Sequence, residues 1–228
     1  MISEIKLLEN YQYCINEIKT ACREANRNFD DLTILGASKT MPIERIQFLI
    51  ANTNIKCVGE NRVQELCEKY DKSIDWHFIG QLQTNKVKYI IDKVSLIHSV
   101  DRLSLAIEID KQAKKIGKTQ DVLIEVNIGR EVAKGGVFLD EVENFAKSLE
   151  NLDNIKIKGL MAVMPNVDFL ALDNFYLQLR DVYDKLKETK VKNANICYLS
   201  AGMSNDYRFA VKYGANIIRL GRAIFGER

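Results

Sequence analysis

The sequence predicts an α/β fold, specifically a (β/α)8 barrel of the TIM type with an extra N-terminal helix. Eight short apolar segments, several of them rich in β-branched residues, alternate along the chain with amphipathic helical patterns. Eight parallel strands are also the number that closes such a barrel. The competing fold, a doubly wound open sheet, is disfavoured because no G-x-G-x-x-G motif follows the first strand.

The first predicted element is an amphipathic helix over residues 3–26, with apolar residues at steps of three and four and Ser3 as its N-cap. The predicted strands lie at 32–37, 55–58, 76–79, 94–98, 121–128, 155–161, 196–199 and 216–220. The predicted helices lie near 43–53, 61–70, 84–91, 102–116, 138–149, 168–189 and 204–213. Only two prolines and no low-complexity linker interrupt this alternation. We therefore expect a single domain over residues 1–228, in which residues 1–28 form the N-terminal helix packed on the barrel.

The composition argues against several classes of function. The 33 basic and 31 acidic residues are interspersed and give a net charge of +2, so no face for nucleic acid is expected. The five cysteines are scattered without a C-x-x-C pair and there are only two histidines, so a zinc site has little support and reduced thiols are expected. No signal peptide is recognisable, and no apolar run approaches the ~18 residues of a membrane span. We expect a soluble, cytoplasmic protein with no membrane partner.

A lysine follows the first predicted strand. Lys39 lies between the apolar run 32–37 and Pro42, where a turn and a helix begin. Burying an ammonium costs free energy, so a lysine at the end of a buried strand tends to lose its proton or find a partner. A neutral amine can form a Schiff base with a carbonyl compound. Taken alone, this segment favours the simpler interpretation that Lys39 points into solvent.

Glu60 and Arg62, which follow the second predicted strand, are most simply interpreted as an ion pair.

The residues at the other predicted strand ends favour a chemical role for Lys39. Glycines, amides and charged residues collect where the predicted strands end, which is where a (β/α)8 barrel carries its chemistry. Some of these residues keep two interpretations. His77 and His98 face either the barrel lumen or the helix layer. Met161 and Met203 are either packing residues or a cover for an aromatic ligand.

The last two loops predict a phosphate site. The small, glycine-containing turn 200–204 leads into a predicted helix, and such a turn exposes unpaired N–H groups that suit a phosphate. Gly221 and Arg222, on the adjacent loop, add a further N–H group and a positive charge. Barrels of this type often bind phosphate at the loops after strands 7 and 8. Ordinary helix capping by Ser204 or Asn205 is the alternative.

Together these motifs resemble those of the pyridoxal 5′-phosphate homeostasis proteins, which are similar to the barrel half of bacterial alanine racemases. The resemblance extends from about Ile5 to Gly226, and several motifs in the same order make it specific. The motifs are Ala37-Ser38-Lys39-Thr40, Gly59-Glu60-Asn61-Arg62-Val63-Gln64-Glu65, Trp76-His77-Phe78-Ile79-Gly80-Gln81-Leu82-Gln83-Thr84-Asn85-Lys86, His98-Ser99-Val100-Asp101-Arg102, Gly159-Leu160-Met161, Gly202-Met203-Ser204-Asn205-Asp206, Arg219-Leu220-Gly221 and Ile224-Phe225-Gly226.

The resemblance implies a binding site for pyridoxal 5′-phosphate (PLP). Lys39 would form the internal aldimine with the cofactor, and Arg219 would face the pyridine nitrogen. The ring pocket would be lined by Asn61, His77 and Met161. The phosphate would be held by Ser200, Gly202, Met203, Ser204, Gly221 and Arg222. The chain departs from the usual family pattern at Ala201, commonly methionine, and at Arg222, commonly a small residue.

The same resemblance bears on catalysis. PLP enzymes use the cofactor ring as an electron sink. Arg219 cannot accept a proton, so it would leave the ring nitrogen unprotonated and the sink weak. The eight βα units and the leading helix use the whole chain, so we expect no second domain of the kind that helps to supply the second base of alanine racemases, a tyrosine. The leading hypothesis is a PLP-binding protein of cofactor homeostasis that holds PLP reversibly as a lysine aldimine without efficient turnover.

Two other hypotheses remain open at this stage. One is a PLP-dependent amino-acid racemase of low activity. The other is a Schiff-base aldolase that uses Lys39 without any cofactor. Under the leading hypothesis PLP is the ligand, PLP-dependent apo-enzymes are candidate recipients, and the protein is a monomer or a weak dimer.

Overall fold

Eight parallel strands close into a barrel, which confirms the predicted fold class. The structure is a computed structural model and describes residues 2–131 and 134–226. The strands follow one another around the barrel in chain order, and β1 closes it by pairing with β8. The strands are β1 (Thr33–Ala37), β2 (Cys57–Glu60), β3 (Asp75–Phe78), β4 (Val94–Val100), β5 (Gln120–Val126), β6 (Ile155–Ala162), β7 (Ala194–Ser200) and β8 (Ile217–Leu220).

Helices connect the strands on the outside of the barrel. They are α1 (Glu4–Glu24), α2 (Ile43–Asn52), α3 (Val63–Lys69), α4 (Leu103–Lys115), α5 (Val142–Ser148), α6 (Phe169–Glu188), α7 (Tyr207–Lys212) and α8 (Arg222–Phe225). The pattern at 84–91 forms a 3-10 helix, Thr84–Tyr89, rather than an α-helix. The sequence analysis missed α8 and the 3-10 helix Phe29–Asp31, because neither is long enough to show a period. Among the described residues, none of the helices combines the length and the apolar character that a membrane crossing requires.

The second strand is displaced from its predicted range. It runs from Cys57 to Glu60 rather than over 55–58, and Cys57 lies opposite Asp75 in its register with β3. Ile55 is buried but lies outside the strand, so burial of an apolar side chain did not mark where the strand begins. The displacement puts Glu60 at the end of a strand that is buried throughout.

The interior of the barrel has an apolar middle layer. Side chains alternate along each strand, so one set faces the lumen and the other packs beneath the helices. The lumen cluster consists of Leu35, Cys57, Leu96, Leu123, Met161 and Ile217, each at most 3% exposed. Polar residues occupy both ends of the lumen: Asp75 begins β3 at the amino end, and Arg219 lies near the carboxyl end of β8. In barrels of this type the ligand site lies at the carboxyl end of the strands.

Helix α1 packs against α2, α7 and α8. The Ser3 side chain caps its first turn by accepting a hydrogen bond from the Lys6 N–H, as predicted. Asn10 Nδ2 donates to the carbonyl of Ile224 in α8 at 3.2 Å. Just beyond α1, Arg27 Nη1 donates to the carbonyl oxygen of Val211 in α7 at 2.8 Å and to that of Ala215, beyond the helix, at 2.7 Å. Helix α1 thus packs against α8, the segment that follows β8, and is hydrogen-bonded to it.

Candidate functional site

A cavity of about 1010 Å³ lies at the carboxyl ends of the strands. Such a volume is in the range of pockets that hold small molecules and cofactors. Seven of the residues predicted for the site line it: Lys39, Asn61, Met203, Ser204, Arg219, Gly221 and Arg222. Fold topology alone brings them together, since they come from the loops after β1, β2, β7 and β8 and from β8 itself.

Lys39 is partly buried and lies two residues beyond β1, with both chain neighbours held in place. Ser38 is fully buried, and its Oγ donates to Glu60 Oε1 at 2.8 Å. The Thr40 N–H donates to Glu65 Oε2 at 2.7 Å. Thr40 has φ +66°, a left-handed conformation that is costly for a β-branched residue and needs such support.

Lys69 joins the two carboxylates beside this segment. Its Nζ lies 2.9 Å from Glu60 Oε1 and 3.0 Å from Glu65 Oε2, and it also donates to the carbonyl of Ser38. Arg62 lies 3.7 Å from Glu65 instead of pairing with Glu60, so the simple interpretation of a Glu60–Arg62 pair is wrong. A charged network therefore fixes the backbone on both sides of Lys39.

Arg219 reaches the cavity from inside the barrel and is only 4% exposed. Its Nη1 donates to the Ser200 carbonyl at 2.8 Å and to Ser200 Oγ at 2.7 Å, and its Nη2 donates to the Ala162 carbonyl at 2.9 Å. Burial lowers the pKa of the guanidinium from its ordinary value, yet an arginine stays protonated at neutral pH. The cavity floor thus carries a fixed positive charge.

The turn after β7 is held by a buried carboxylate. Asp206 Oδ1 accepts from the Met203 N–H at 2.6 Å, and its Oδ2 accepts from the Tyr176 hydroxyl at 2.7 Å. Burial, together with the Asp206 charge, raises the pKa of Tyr176. Gly202 has φ +93°, and a Cβ there would lie 2.5 Å from Ala210 Cβ. The helix begins at Tyr207 rather than at residue 204, so 203–206 remain a turn that borders the cavity.

This turn presents donors that have no partner within the described residues. The backbone N–H groups of Ser204, Asn205 and Arg222 make no hydrogen bond to another described residue. Ser204 Oγ accepts from the Ala223 N–H at 3.2 Å, which ties the turn to α8. Arg222 is exposed and lines the cavity as well. Unpaired N–H groups beside cationic side chains suit an anion.

Four of the predicted site residues lie outside the cavity wall: His77, Met161, Ser200 and Gly202. Met161 belongs to the apolar layer of the lumen, and Gly202 shapes the turn. His77 and Met161 are not among the residues that line this cavity, and their contact with a bound cofactor ring stays a prediction. Met161 is inaccessible beneath the cavity, and His77 is engaged in the barrel interior.

The interior contains a row of hydrogen bonds that resolves the orientation of both histidines. His77 Nδ1 lies 3.0 Å from His98 Nε2, and His98 Nδ1 lies 3.0 Å from Ser200 Oγ. Ser200 Oγ in turn accepts from Arg219. Burial, followed by the nearby His77 and Arg219, holds the pKa of His98 well below its ordinary value, so His98 is neutral. The row connects the middle of the lumen to the floor of the cavity.

Sequence reasoning missed one wall of the cavity. Residues 163–167, between β6 and α6, line it together with Phe169 and Leu172. These side chains are mostly apolar, and an apolar loop carries no chemical signal in the sequence. Glu125, near the end of β5, has a pKa raised to about 7, because burial and Asp101 raise it by more than Arg219 lowers it.

The comparisons with known proteins bear on this site. Residues 35–228 match the family described as "Alanine racemase, N-terminal domain". A curated relative from Aquifex aeolicus, named pyridoxal phosphate homeostasis protein, is 43% identical over 225 residues, covering 96% of this chain and 97% of the relative. The chain belongs to the pyridoxal phosphate homeostasis protein family.

Solved structures of similar proteins agree with this membership. A protein from Bifidobacterium adolescentis, described as unknown, has a TM-score of 0.93 at 29% identity, with 99% of this chain and 98% of that chain covered. PipY of Synechococcus elongatus, solved with PLP bound, has a TM-score of 0.78 at 27% identity, with 93% of this chain and 100% of that chain covered. A barrel of similar shape therefore carries PLP.

Proposed function

We propose that this protein binds pyridoxal 5′-phosphate reversibly in the carboxyl-end cavity and serves in homeostasis of the cofactor. The observation that carries the proposal is the joint placement of Lys39, the fixed Arg219 and the unpaired N–H groups of the 203–206 turn around one cavity. The amine of Lys39 suits the cofactor's aldehyde, and the guanidinium of Arg219 suits its pyridine ring. The backbone N–H groups suit its phosphate. The residues present therefore fit the cofactor.

Lys39 is the residue that would hold the cofactor aldehyde covalently. Bound PLP supplies a reactive aldehyde and an electron-withdrawing ring. The network of Glu60, Glu65 and Lys69 positions the backbone of the segment that carries Lys39, so little backbone entropy is lost when its side chain is engaged.

Two further groups complete the binding site. The N–H groups of Ser204, Asn205 and Arg222 bind the phosphate, with the Arg222 charge in support. Arg219 presents a guanidinium that is already bonded to Ser200 and Ala162, and it holds its proton rather than accepting one. A site with this donor set binds the ring without protonating its nitrogen, which favours holding the cofactor over turning over amino acids.

The test is visible absorption of the purified protein with PLP, before and after borohydride, followed by peptide mass mapping. We expect a yellow absorption band that reduction abolishes, and a pyridoxyl adduct on Lys39. Lys39→Ala should abolish band and adduct, whereas Lys56→Ala, at an exposed lysine, should leave both unchanged. An absent band, or an adduct spread over surface lysines, would overturn the proposal.

The racemase alternative is not favoured. The curated relatives that this chain matches along nearly their full length are named for PLP homeostasis. Incubation of the PLP-loaded protein with L-alanine should leave the optical activity unchanged. A steady loss that Lys39→Ala abolishes would restore the alternative.

We further propose that the protein is cytoplasmic, that PLP-dependent apo-enzymes receive the cofactor from it, and that it is a monomer or a weak dimer. Sedimentation velocity over a range of concentrations tests the oligomeric state. Reactivation of an apo-aminotransferase by the loaded protein, compared with the same amount of free PLP, tests delivery. Reactivation no faster than that by free PLP would contradict the delivery role.

A further inference from the structure

Three side chains with metal-binding groups meet inside the barrel below the cofactor cavity. Cys57 and Asp75 lie opposite each other in the register of β2 and β3, and His77 lies two residues after Asp75 on the same face of its strand. The Cys57 Sγ, an Asp75 carboxylate oxygen and a His77 ring nitrogen all lie within 4.8 Å of one another. We propose that Cys57, Asp75 and His77 bind a divalent transition-metal ion, with zinc as the best match.

The donor set selects the class of ion. A thiolate disfavours magnesium and calcium, whereas a thiolate with an imidazole and a carboxylate is a combination that zinc accepts. With bond lengths of about 2.0–2.3 Å, tetrahedral ligand atoms lie roughly 3.5 Å apart. The 3.5 Å between His77 Nε2 and Asp75 Oδ2 already has that value. Cys57 Sγ lies within 4.8 Å of the other two ligand atoms, and an ion held by His77 and Asp75 would draw it closer.

Two of the ligands are oriented by partners behind them. His77 Nδ1 is engaged with His98 Nε2 at 3.0 Å, which leaves Nε2 to face Asp75. The other oxygen of Asp75, Oδ1, accepts from Ser95 Oγ, so Oδ2 is the one that faces His77. Ligating imidazoles and carboxylates in metal sites are commonly held in this way, and such partners strengthen binding.

The position of the cluster allows entry from the amino end of the barrel. Cys57 is 2% exposed, whereas the Asp75 side chain is 49% exposed at the start of β3. A cation that enters there displaces the thiol proton of Cys57, which leaves to solvent, and a water molecule completes the fourth position. None of the three ligands lines the cofactor cavity, so the site is separate from it.

The sequence gives little support for a zinc site because these ligands are not paired at a fixed spacing along the chain. Here only one histidine is a ligand, and the thiol comes from a neighbouring strand. Such a site has no spacing signature, since the closure of the sheet rather than the local chain brings the ligands together.

The test is a titration of the purified, metal-free protein with cobalt(II) in a buffer without thiol reductants. Zinc(II) is then added to displace the cobalt. We expect a thiolate-to-cobalt charge-transfer band in the near ultraviolet that zinc abolishes. Cys57→Ser should remove the band, and Asp75→Asn should weaken cobalt binding at least tenfold. Cys67→Ser is the matched control, because Cys67 is an exposed thiol outside the cluster, and it should leave the titration unchanged.

Circular dichroism of each variant establishes that it is folded. Asp75→Asn provides an independent check should Cys57→Ser fail to fold, since Asp75 is half-exposed. A wild-type protein without the band would overturn the proposal. So would a band that persists in folded Cys57→Ser, or cobalt affinity unchanged in Asp75→Asn, because either outcome assigns the binding to other groups.

Discussion

Hydrogen bonds made by Ser38 and Thr40, the two chain neighbours of Lys39, hold the backbone at Lys39 in place. Ser38 is anchored to Glu60, and Thr40 is kept in a left-handed conformation by the bond from its N–H to Glu65. Partial burial alone would raise the pKa of Glu65, but the bonds from Thr40 and Lys69 outweigh it and lower the pKa below its ordinary value. Glu65 is therefore ionised at neutral pH and keeps the segment in place.

We predict that Glu65→Gln weakens PLP binding several-fold and destabilises the protein by about 1 kcal/mol. The charge-assisted bond to Thr40 becomes a neutral one, and Lys69 loses one of its two carboxylates. Spectroscopic PLP titration and urea unfolding measure the two effects. Glu68→Gln, an exposed position on the same helix, should change neither quantity. Equal PLP affinity in both variants would show that Lys39 does not depend on this network.

The positions of some residues at the cavity were predictable from the sequence and those of others were not. Lys39, Arg219 and the glycine-containing turn could be found because an amine, a guanidinium and a small turn keep their chemistry in any context. The partner of Glu60 could not be found, because Arg62 is nearer in sequence but Lys69 is nearer in space. Whether the His77 side chain faces the lumen or the helices depends on where β3 begins, and the local sequence pattern does not determine that residue.

At the scale of elements, Arg27, just beyond α1, is hydrogen-bonded to α7 and to the segment that follows it. Arg27 is partly buried, and its Nη1 donates to two carbonyl oxygens, that of Val211 in α7 and that of Ala215 beyond the helix. We predict that Arg27→Ala costs roughly 1.5–3 kcal/mol in the free energy of unfolding, measured in urea. Arg23→Ala is the control, because Arg23 is exposed and bonds only its own helix. A loss no larger than that of Arg23→Ala would contradict this account.

The existence and order of the elements were predictable, but their ends were less so. The alternation of strand and helix patterns gave all eight strands and the first helix, since long periodic segments carry a strong signal. The shift of β2 and the shortening of the 204–213 helix arose from register and from the Asp206 bonds. Both are tertiary effects that a local pattern does not contain.

At the scale of the whole molecule, the carboxyl end of the lumen contains an acid with a raised pKa. The pKa of Glu125 is raised to about 7, because burial and the charge of Asp101 raise it by more than the charge of Arg219 lowers it. Because the folded-state pKa lies above the value of the unfolded chain, the folded protein binds this proton more tightly. Its contribution to stability is full below about pH 4.5 and is lost as the pH rises through 7.

We predict that Glu125→Gln is more stable than the wild type at pH 8, by on the order of 2 kcal/mol, and equally stable near pH 4.5. The amide avoids the cost of ionising a buried acid. Urea unfolding at several pH values measures the difference. Glu24→Gln, on the exposed surface of α1, should show no such pH dependence relative to the wild type. If the difference in the free energy of unfolding between Glu125→Gln and the wild type is the same at every pH, ionisation of Glu125 does not affect stability.

The pairing of β1 with β8 has a consequence for the newly made protein. Lys39 leaves the ribosome early, but Arg219 and the 221–222 wall emerge only with the final strand. Domains tend to fold as units during synthesis, and non-local pairings form late because distant segments must first meet. Under the proposed function, a half-synthesised chain would present Lys39 without the wall proposed to bind the phosphate. Cofactor binding would then require the completed barrel, and nascent chains would not compete for the cofactor.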